Sequence, residues 1–427
     1  MKRGAIRRSL RFSIWDGLFT AAMLGVSETY LIPYGIALGA SPSQVALLAS
    51  LPPLAAALLQ TRSAGVTQFI GSRTRLISFV VFFHALSWLP IILVPYLFSA
   101  SSRHAALFAL LFFVTVYASF GAFAVPAWQS LMSDTIPLQK RGRYFGWRNG
   151  LQGFVTVTFS AAAGLLLHAF GKSKVVGFTL LFVFAMFSRF AAWGCLTQMA
   201  EPVRHTTHDV YFSFVDFVKG IRTRNFARFV LFVSLMSFAV NLSSPLLAVF
   251  LLKDLGFSYA LYMMLMVTAS ASGFLFQVRW GKYGDAQGNW KFLKIACWGI
   301  ALLPLFWMFS RHWAYLVVVQ FVAGLCWGGF NLLVSNFLME AVSPEKRIRC
   351  ISYFNVMNGT AVFVGASIGG VLIRHLPKLF GYSYLALFLL SCVARVLVML
   401  FAASRVREVR GAYRPYEMGY PVVAESG

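Results

Sequence analysis

Acidic residues are scarce in this chain. Of 427 residues only 13 are Asp or Glu, against 37 Lys or Arg, and all charged residues together make up 12%. With 59% hydrophobic residues and a mean hydropathy of +0.72, there is too little polar surface to enclose a soluble core of this length. Cysteine is also sparse. Cys195, Cys297, Cys326, Cys350 and Cys392 show no CxxC spacing, which argues against a disulfide framework or a zinc site and leaves apolar packing as their role. No glycine-rich phosphate loop ending in Lys-Ser or Lys-Thr occurs, so ATP-driven pumping has no support. Neither HExxH nor a Ser/His/Asp arrangement is present, so no enzyme activity, catalytic residue, metal or cofactor is expected.

What the chain has in abundance is long apolar runs, repeatedly reaching the ~20 residues needed to cross a bilayer. Runs of that length are too long for barrel strands and must be helices, because only closed backbone hydrogen bonding survives in lipid. The expectation is an all-α membrane protein with twelve transmembrane spans, near 13–38, 43–62, 75–98, 105–132, 143–170, 175–199, 226–252, 258–280, 291–310, 313–339, 348–374 and 382–404. The net charge of +24 does not point to nucleic acid, because the cations are spread through the short connections. With the N-terminus placed inside, most of them fall in cytoplasmic segments, so both termini are expected in the cytoplasm. The opening "MKRGAIRRSLRF" and the run after it lack the cleavage pattern of a signal peptide and read as a retained first span.

The largest interruption of the apolar pattern lies at 200–225. There Val210, Phe214, Phe217, Val218 and Ile221 recur at helical spacing, as in an amphipathic helix lying on the cytoplasmic membrane face. It separates a six-helix bundle at 1–199 from a second at 226–427, which includes a cytoplasmic tail. Internal similarity supports the division. Asp134 and Glu340, Lys140 and Lys346, Arg141 and Arg347, Arg143 and Arg349, Asn149 and Asn355, Gly153 and Gly359, and Arg189 and Arg395 all stand 206 residues apart. Six plus six spans in parallel repeat are what a transporter rocking two bundles about a midplane site requires.

Between spans 8 and 9, "GKYGDAQGNWK" places Gly281, Asp285, Gly288 and Lys291 at the spacing of a known loop signature. On this signature, the repeat and the span count, the chain resembles a major facilitator superfamily permease from about Ser9 to Arg407. The block "RGRYFGWRN" and the opening "SIWDG" resemble a bacterial group of unassigned substrate, which implies a bacterial inner membrane and a monomer. The first-half copy, "GVTQFIGSRTR", keeps Gly65 but has Phe69 in place of the acid and Ser72 in place of the second glycine. In the family the loop acid docks on a helix N-terminus of the opposite half and holds the cytoplasmic side shut. The resemblance therefore implies one asymmetric gate, in which Asp285 faces Arg143 and Arg148 with Asp134 nearby, while the missing acid faces the worn copy after Glu340. The competing reading is that these cations satisfy the positive-inside bias and pair with lipid phosphates.

Glu28 is the acid nearest the middle of a span, at an insertion cost of ~2.5–3.5 kcal/mol, and is a functional candidate for that reason. Asp16, Thr20, Leu24 and Glu28 follow four-residue spacing on span 1, which in the family lines the cavity together with spans 4, 7 and 10. A carboxyl there that changes protonation as the cavity opens to each side would couple transport to protons; direct binding of a cationic cargo and a packing role are the alternatives. Tyr34, Tyr117, Trp128, Gln129, Asn241, Gln320, Trp327, Asn331 and Asn336 are candidate cavity residues, whose amides and aromatic faces suit a sugar or a zwitterion, although amides also join transmembrane helices. Arg189 and Arg395, on supporting spans 6 and 12, read as structural, and His84 as a packing residue.

The expected function is secondary active transport of a small organic solute, with protons and membrane lipids as further partners. Span 5 lacks the Gly-Pro signature common in the family's antiporters, which favours symport over proton-coupled export. A scaffold or sensor that no longer transports is the alternative from another class.

Overall fold

A computed structural model describes residues 3–98, 103–136, 138–170, 174–201, 217, 219, 225–342 and 344–408, without the side chains of some of them, among which are Arg143 and Asp285. These residues are helical almost throughout. The helices are α1 (Arg3–Ala37), α2 (Pro42–Gln60), α3 (Ser63–Ile70), α4 (Arg73–Leu86), α5 (Trp88–Leu97), α6 (Arg103–Thr135), α7 (Leu138–Ala169), α8 (Lys174–Thr197), α9 (Asn225–Asn241), α10 (Tyr259–Gln287), α11 (Asn289–Phe309), α12 (Trp313–Glu340), α13 (Pro344–Leu372) and α14 (Ser383–Phe401). Eleven helical segments, with α4 and α5 read as one, are long and apolar enough to cross a membrane. The first expected span is the exception. At 35 residues α1 is long enough, but Thr20, Ser27, Glu28 and Thr29 lower its apolarity, and it holds its place by packing against α7 and α8.

Local chemistry sets the helix ends. Ser41 and Gln44 form a reciprocal capping box with Pro42 at the first helical position of α2. Ser72 caps α4 and Ser258 caps α10, each through its side-chain oxygen. Gly288, at φ +107°, turns the chain between α10 and α11. The seventh expected span is not one helix. After Asn241 it passes through a 3-10 turn at Ser244–Leu246, a short α turn and a π turn at Phe250–Asp254, because Pro245 cannot donate to the Asn241 carbonyl. The expected amphipathic helix of 200–225 lies largely outside the described residues, including Val210, Phe214, Val218 and Ile221. Phe217 is described, and it is buried beside Phe226 and Tyr353.

Because each span reverses the one before it, the connections near 38–41, 98–103, 254–258, 310–312 and 373–382 share one end of the bundle. At this end residues from both sequence halves form a single apolar core, from Tyr30, Tyr34 and Leu110 to Phe250, Met263 and Leu385. At the opposite end the core is divided, one part around Leu76, Leu131 and Leu196, the other around Phe229, Trp290 and Phe337. We call these the sealed end and the split end. Contact between the halves runs mainly along α2 with α13 and α7 with α10. Within the second half, α10 and α12 approach backbone to backbone: a Cβ on Gly324 would overlap the Ala269 carbonyl oxygen.

Candidate functional site

The four-residue stripe on α1 divides in the structure. Asp16 is buried and accepts from the Arg148 guanidinium at 3.3 Å. Thr20 lies 3.5 Å from the same carboxylate and accepts from Arg189 at 2.8 Å. Arg189 also donates its Nε to His84 Nδ1 at 2.9 Å, so this imidazole is an acceptor, and its ring lies 4.4 Å from that of Tyr117. Glu28 differs from all of these. It is enclosed by protein at mid-helix near Tyr117, yet its side chain is accessible and has no hydrogen-bond partner among the described residues.

A ladder of side chains fixes the neighbouring face of α1. Arg148 Nε donates to the Ser13 carbonyl at 3.1 Å, Gln152 Nε2 to the Gly17 carbonyl at 3.0 Å, and Thr156 Oγ1 to the Ala21 carbonyl at 3.2 Å. Donors and acceptors both advance by four residues, as two parallel helices in register require. This is the setting of Arg148. It is held between Asp16, Gln152 and the Trp128 ring, 4.5 Å beneath its guanidinium, inside the first half of the chain.

The proposed cavity residues occupy two kinds of environment. Gln129 and Asn331 are accessible, and Trp327 and Asn241 are half-buried, Asn241 donating to the Ser237 carbonyl at 2.8 Å. Tyr34 is buried, with its hydroxyl on the Ile91 carbonyl at 3.2 Å and its ring between Phe178 and Phe182. Tyr117 is packed between His84 and Trp88, and Gln320 is buried. Trp128 is half-buried and its indole N–H has no partner among the described residues. Asn336 donates to Asn289 at 3.4 Å.

At the split end, two acid-capped helix starts repeat each other. Glu201, just after α8, accepts from Ser72 at 2.6 Å, from the Arg73 backbone at 2.8 Å and from Thr74 Oγ1 at 2.9 Å at the start of α4. Arg73, 2% exposed, also reaches Asp134 at 2.6 Å and Glu201 at 3.1 Å. In the second half, Glu408 accepts from the backbones of Trp290 and Lys291, both at 3.1 Å, at the start of α11, while Asn289 donates to Glu340 at 2.8 Å. Burial alone would raise the Glu201 carboxyl, but the hydrogen bonds from Ser72, Arg73 and Thr74 outweigh it and hold the group at about 2. A Cβ on Gly288 would overlap the Glu408 carboxylate, and Lys291 Nζ donates to Gln287 at 2.8 Å. Gly281 has only Leu332 nearby, at 3.5 Å from where a Cβ would sit. The Asp285 and Arg143 side chains lie outside the described residues.

The sequence reading missed Arg73, Glu201 and Glu408. The available signal was an acid directly after spans 6 and 12, 207 residues apart, paired with a helix start of Ser-Arg-Thr or Gly-Asn-Trp.

Three comparisons bear on identity. The model of the Major Facilitator Superfamily matches residues 17–309 and 229–418. The efflux pump azaK of Aspergillus niger is 26% identical over 105 residues, which is 25% of this chain; the chain thus spans 22% of the length of this curated relative. Among solved structures, the D-xylose-proton symporter superposes with a TM-score of 0.73 at 12% identity, covering 95% of this chain and 98% of that one. The nucleoside transporter NupG gives 0.68 at 14%, covering 95% and 99%, and the inward-open xylose transporter XylE from E. coli gives 0.68 at 14%, covering 95% and 98%. At such identities the superpositions establish the fold. Matched by the family model over most of its length, and built as that fold requires, the chain belongs to the Major Facilitator Superfamily, a multi-pass membrane transporter and not an enzyme.

Proposed function

We propose that this secondary transporter moves a small organic solute by alternating access between two six-helix bundles, 1–199 and 226–427, and that protons taken up and released at Glu28 drive it as a symporter. The observation that carries the reading is the Glu28 carboxyl, enclosed, accessible and unpartnered among the described residues, while the neighbouring Asp16 is bonded to Arg148. An acid at mid-span without a partner is costly, and one that meets each side of the membrane in turn can exchange a proton with each. Gln129, Asn241, Trp327 and Asn331 offer the amides and the ring face for cargo, and Tyr34, Tyr117, Trp128 and Gln320 are the further cavity candidates. The positive-inside bias favours a cytoplasmic split end, with the 200–225 link and both termini on that side, and the resemblance to bacterial permeases favours a bacterial inner membrane. Asp285, reaching Arg143 and Arg148 when the split end closes, would form the cytoplasmic gate; for Arg148 this requires leaving Asp16.

The test starts with a thermal-shift screen of the purified protein against a metabolite library, since a ligand that binds the folded state raises its stability. A hit is then added to de-energised vesicles. Wild type is expected to change external pH, and Glu28→Gln to lose that change while keeping counterflow exchange. Undiminished proton movement in Glu28→Gln would reject the coupling role, and silence across the panel would favour the non-transporting scaffold. A disulfide between cysteines at 285 and 143 should form in one conformation only. The similarity to a fungal efflux pump favours a second reading, proton-coupled export, which predicts that the solute accelerates proton movement in the opposite direction.

A further inference from the structure

The charges of the sealed end have no place in the coupling or gate just described. Among the described residues this end carries Arg103, Lys253, Arg311, Arg374 and Lys378, and Asp254 is its one acid. Two of the cations converge on one turn. Lys253 Nζ, on the π turn of the seventh span, crosses to the other half of the chain and donates to the Ala40 carbonyl at 2.9 Å, just beyond the carboxyl end of α1. Arg103 covers the adjacent Gly39, which has φ +90°, so closely that a Cβ there would lie 2.9 Å from its Nε. The partial negative charge of a helix end attracts such cations, but Arg103 is also close enough to Lys253 for the two to repel.

Beside this turn is a cavity of about 450 Å³ between the halves, and Lys253 forms part of its wall. His168 and Ser258 add polar groups, and Ile36, Leu167 and Phe257 add apolar surface. A net positive end draws anions from solution. The wall offers an ammonium for an anionic group and an apolar face for a carbon skeleton, which inorganic phosphate lacks.

We infer that this cavity is an entry site for a small organic anion, anchored by Lys253, and that exchange of the Ala40 carbonyl for that anion releases the two halves from each other at the sealed end. The inference rests on the alternating-access reading and narrows its substrate to a class. Of the three described hydrogen bonds between the halves, the other two join neutral groups of α2 and α13, Ser43 to Gly370 and Asn355 to Gln60. Lys253 is thus the charged contact among them, and the one a ligand charge can compete away.

The test uses the full purified chain in detergent at constant ionic strength, with acetate, succinate, benzoate and inorganic phosphate compared against glucose and choline. At least one organic anion should raise the Tm of wild type and of Lys253→Arg, and should leave Lys253→Met and the neutral Lys253→Gln unmoved. No organic-anion shift, a shift from phosphate alone, or an unchanged shift in the neutral variants overturns the site. Spin labels at Ala105→Cys and His375→Cys, both exposed at the sealed end, give a second readout. Their separation should lengthen in wild type with the stabilising anion, and in Lys253→Gln without it; an unchanged separation overturns the release step. Neither measurement needs a proton gradient, so its failure and the failure of proton coupling at Glu28 are read separately.

Discussion

Replacing Glu201 with Gln tests the acid cap at the start of α4. The carboxylate accepts from Ser72, the Arg73 backbone, Thr74 and Arg73 Nε, all within 3.1 Å. Its ordinary value of 4.5 is lowered to about 2. At about 1.36 kcal/mol per pH unit, that difference has an upper bound of about 3 kcal/mol. The side chain is 26% exposed and open to solvent screening, and Arg73 keeps Asp134, so the expected loss at neutral pH is about 1–2 kcal/mol. The pH dependence has a definite sign. A carboxyl lowered by folding stabilises the folded state fully above 4.5, and this contribution disappears as pH falls towards 2. Thermal unfolding of wild type and Glu201→Gln from pH 7 to pH 3 should show a gap in Tm that is constant down to about pH 5 and narrows below it. A gap that stays constant to pH 3, or its absence at pH 7, would refute the cap.

Other substitutions separate packing from chemistry. Gly324→Val should abolish folded protein in size-exclusion analysis, because its side chain meets the Ala269 carbonyl, whereas Gly281→Ala should leave Tm unchanged, since nothing lies within 3.4 Å of the added Cβ. Thr156→Val should cost only about 0.6 kcal/mol in thermal unfolding, the usual scale for an interhelical bond in a membrane, because Ala21 keeps its partner within α1. Arg395→Met should cost about 1.5–3 kcal/mol, since it deprives the carbonyls of Ile300 and Val240 of a charged donor. In a Pro304→Ala background that cost should fall, because an alanine at this position has a backbone N–H to donate to Ile300 within α11.

Much of the fold is readable along the chain because membrane burial demands uninterrupted apolar runs, and eleven segments meet that demand by composition alone. The first span does not, and it is read from the apolar run that follows the basic opening and lacks the cleavage pattern of a signal peptide. The break after Asn241 was marked by Pro245 but obscured by the apolar residues on both sides. Glu28 could be singled out by depth. The polar group around Asp16 could not, because Arg148, Arg189 and the His84 that Arg189 bonds come from three helices whose register is set by packing. Arg148 reads as a gate residue from its neighbours in sequence; its ladder with Gln152 and Thr156, which starts at the Ser13 carbonyl, depends on the register of α7 against α1 and is not legible there.

The repeat supplies an internal control on that buried polar group. Arg189 and Arg395 are equivalent, and each needs acceptors. In the second half Arg395 donates to the Ile300 carbonyl at 2.8 Å, which lacks a helical partner because Pro304 follows four residues later. Ile300 corresponds to His84, 216 residues earlier, where α4 ends and the His84 carbonyl is already taken by the Ser87 hydroxyl at 2.7 Å. The first half instead offers Arg189 the imidazole nitrogen and Thr20. His84→Ile, which copies the second-half residue, should therefore fail as a substitute: the imidazole acceptor is removed while the carbonyl at that position stays with the Ser87 hydroxyl. Losing a hydrogen bond to a buried cation is expected to cost about 1.5–3 kcal/mol in thermal unfolding, with His84→Gln recovering part of it. If His84→Ile were as stable as wild type, Arg189 would be satisfied by Thr20 alone and the equivalence of the two arginines would be one of position only. If it is destabilised as expected, the two halves meet the same buried charge with different acceptors, and the first-half acceptors also connect Arg189 to Asp16.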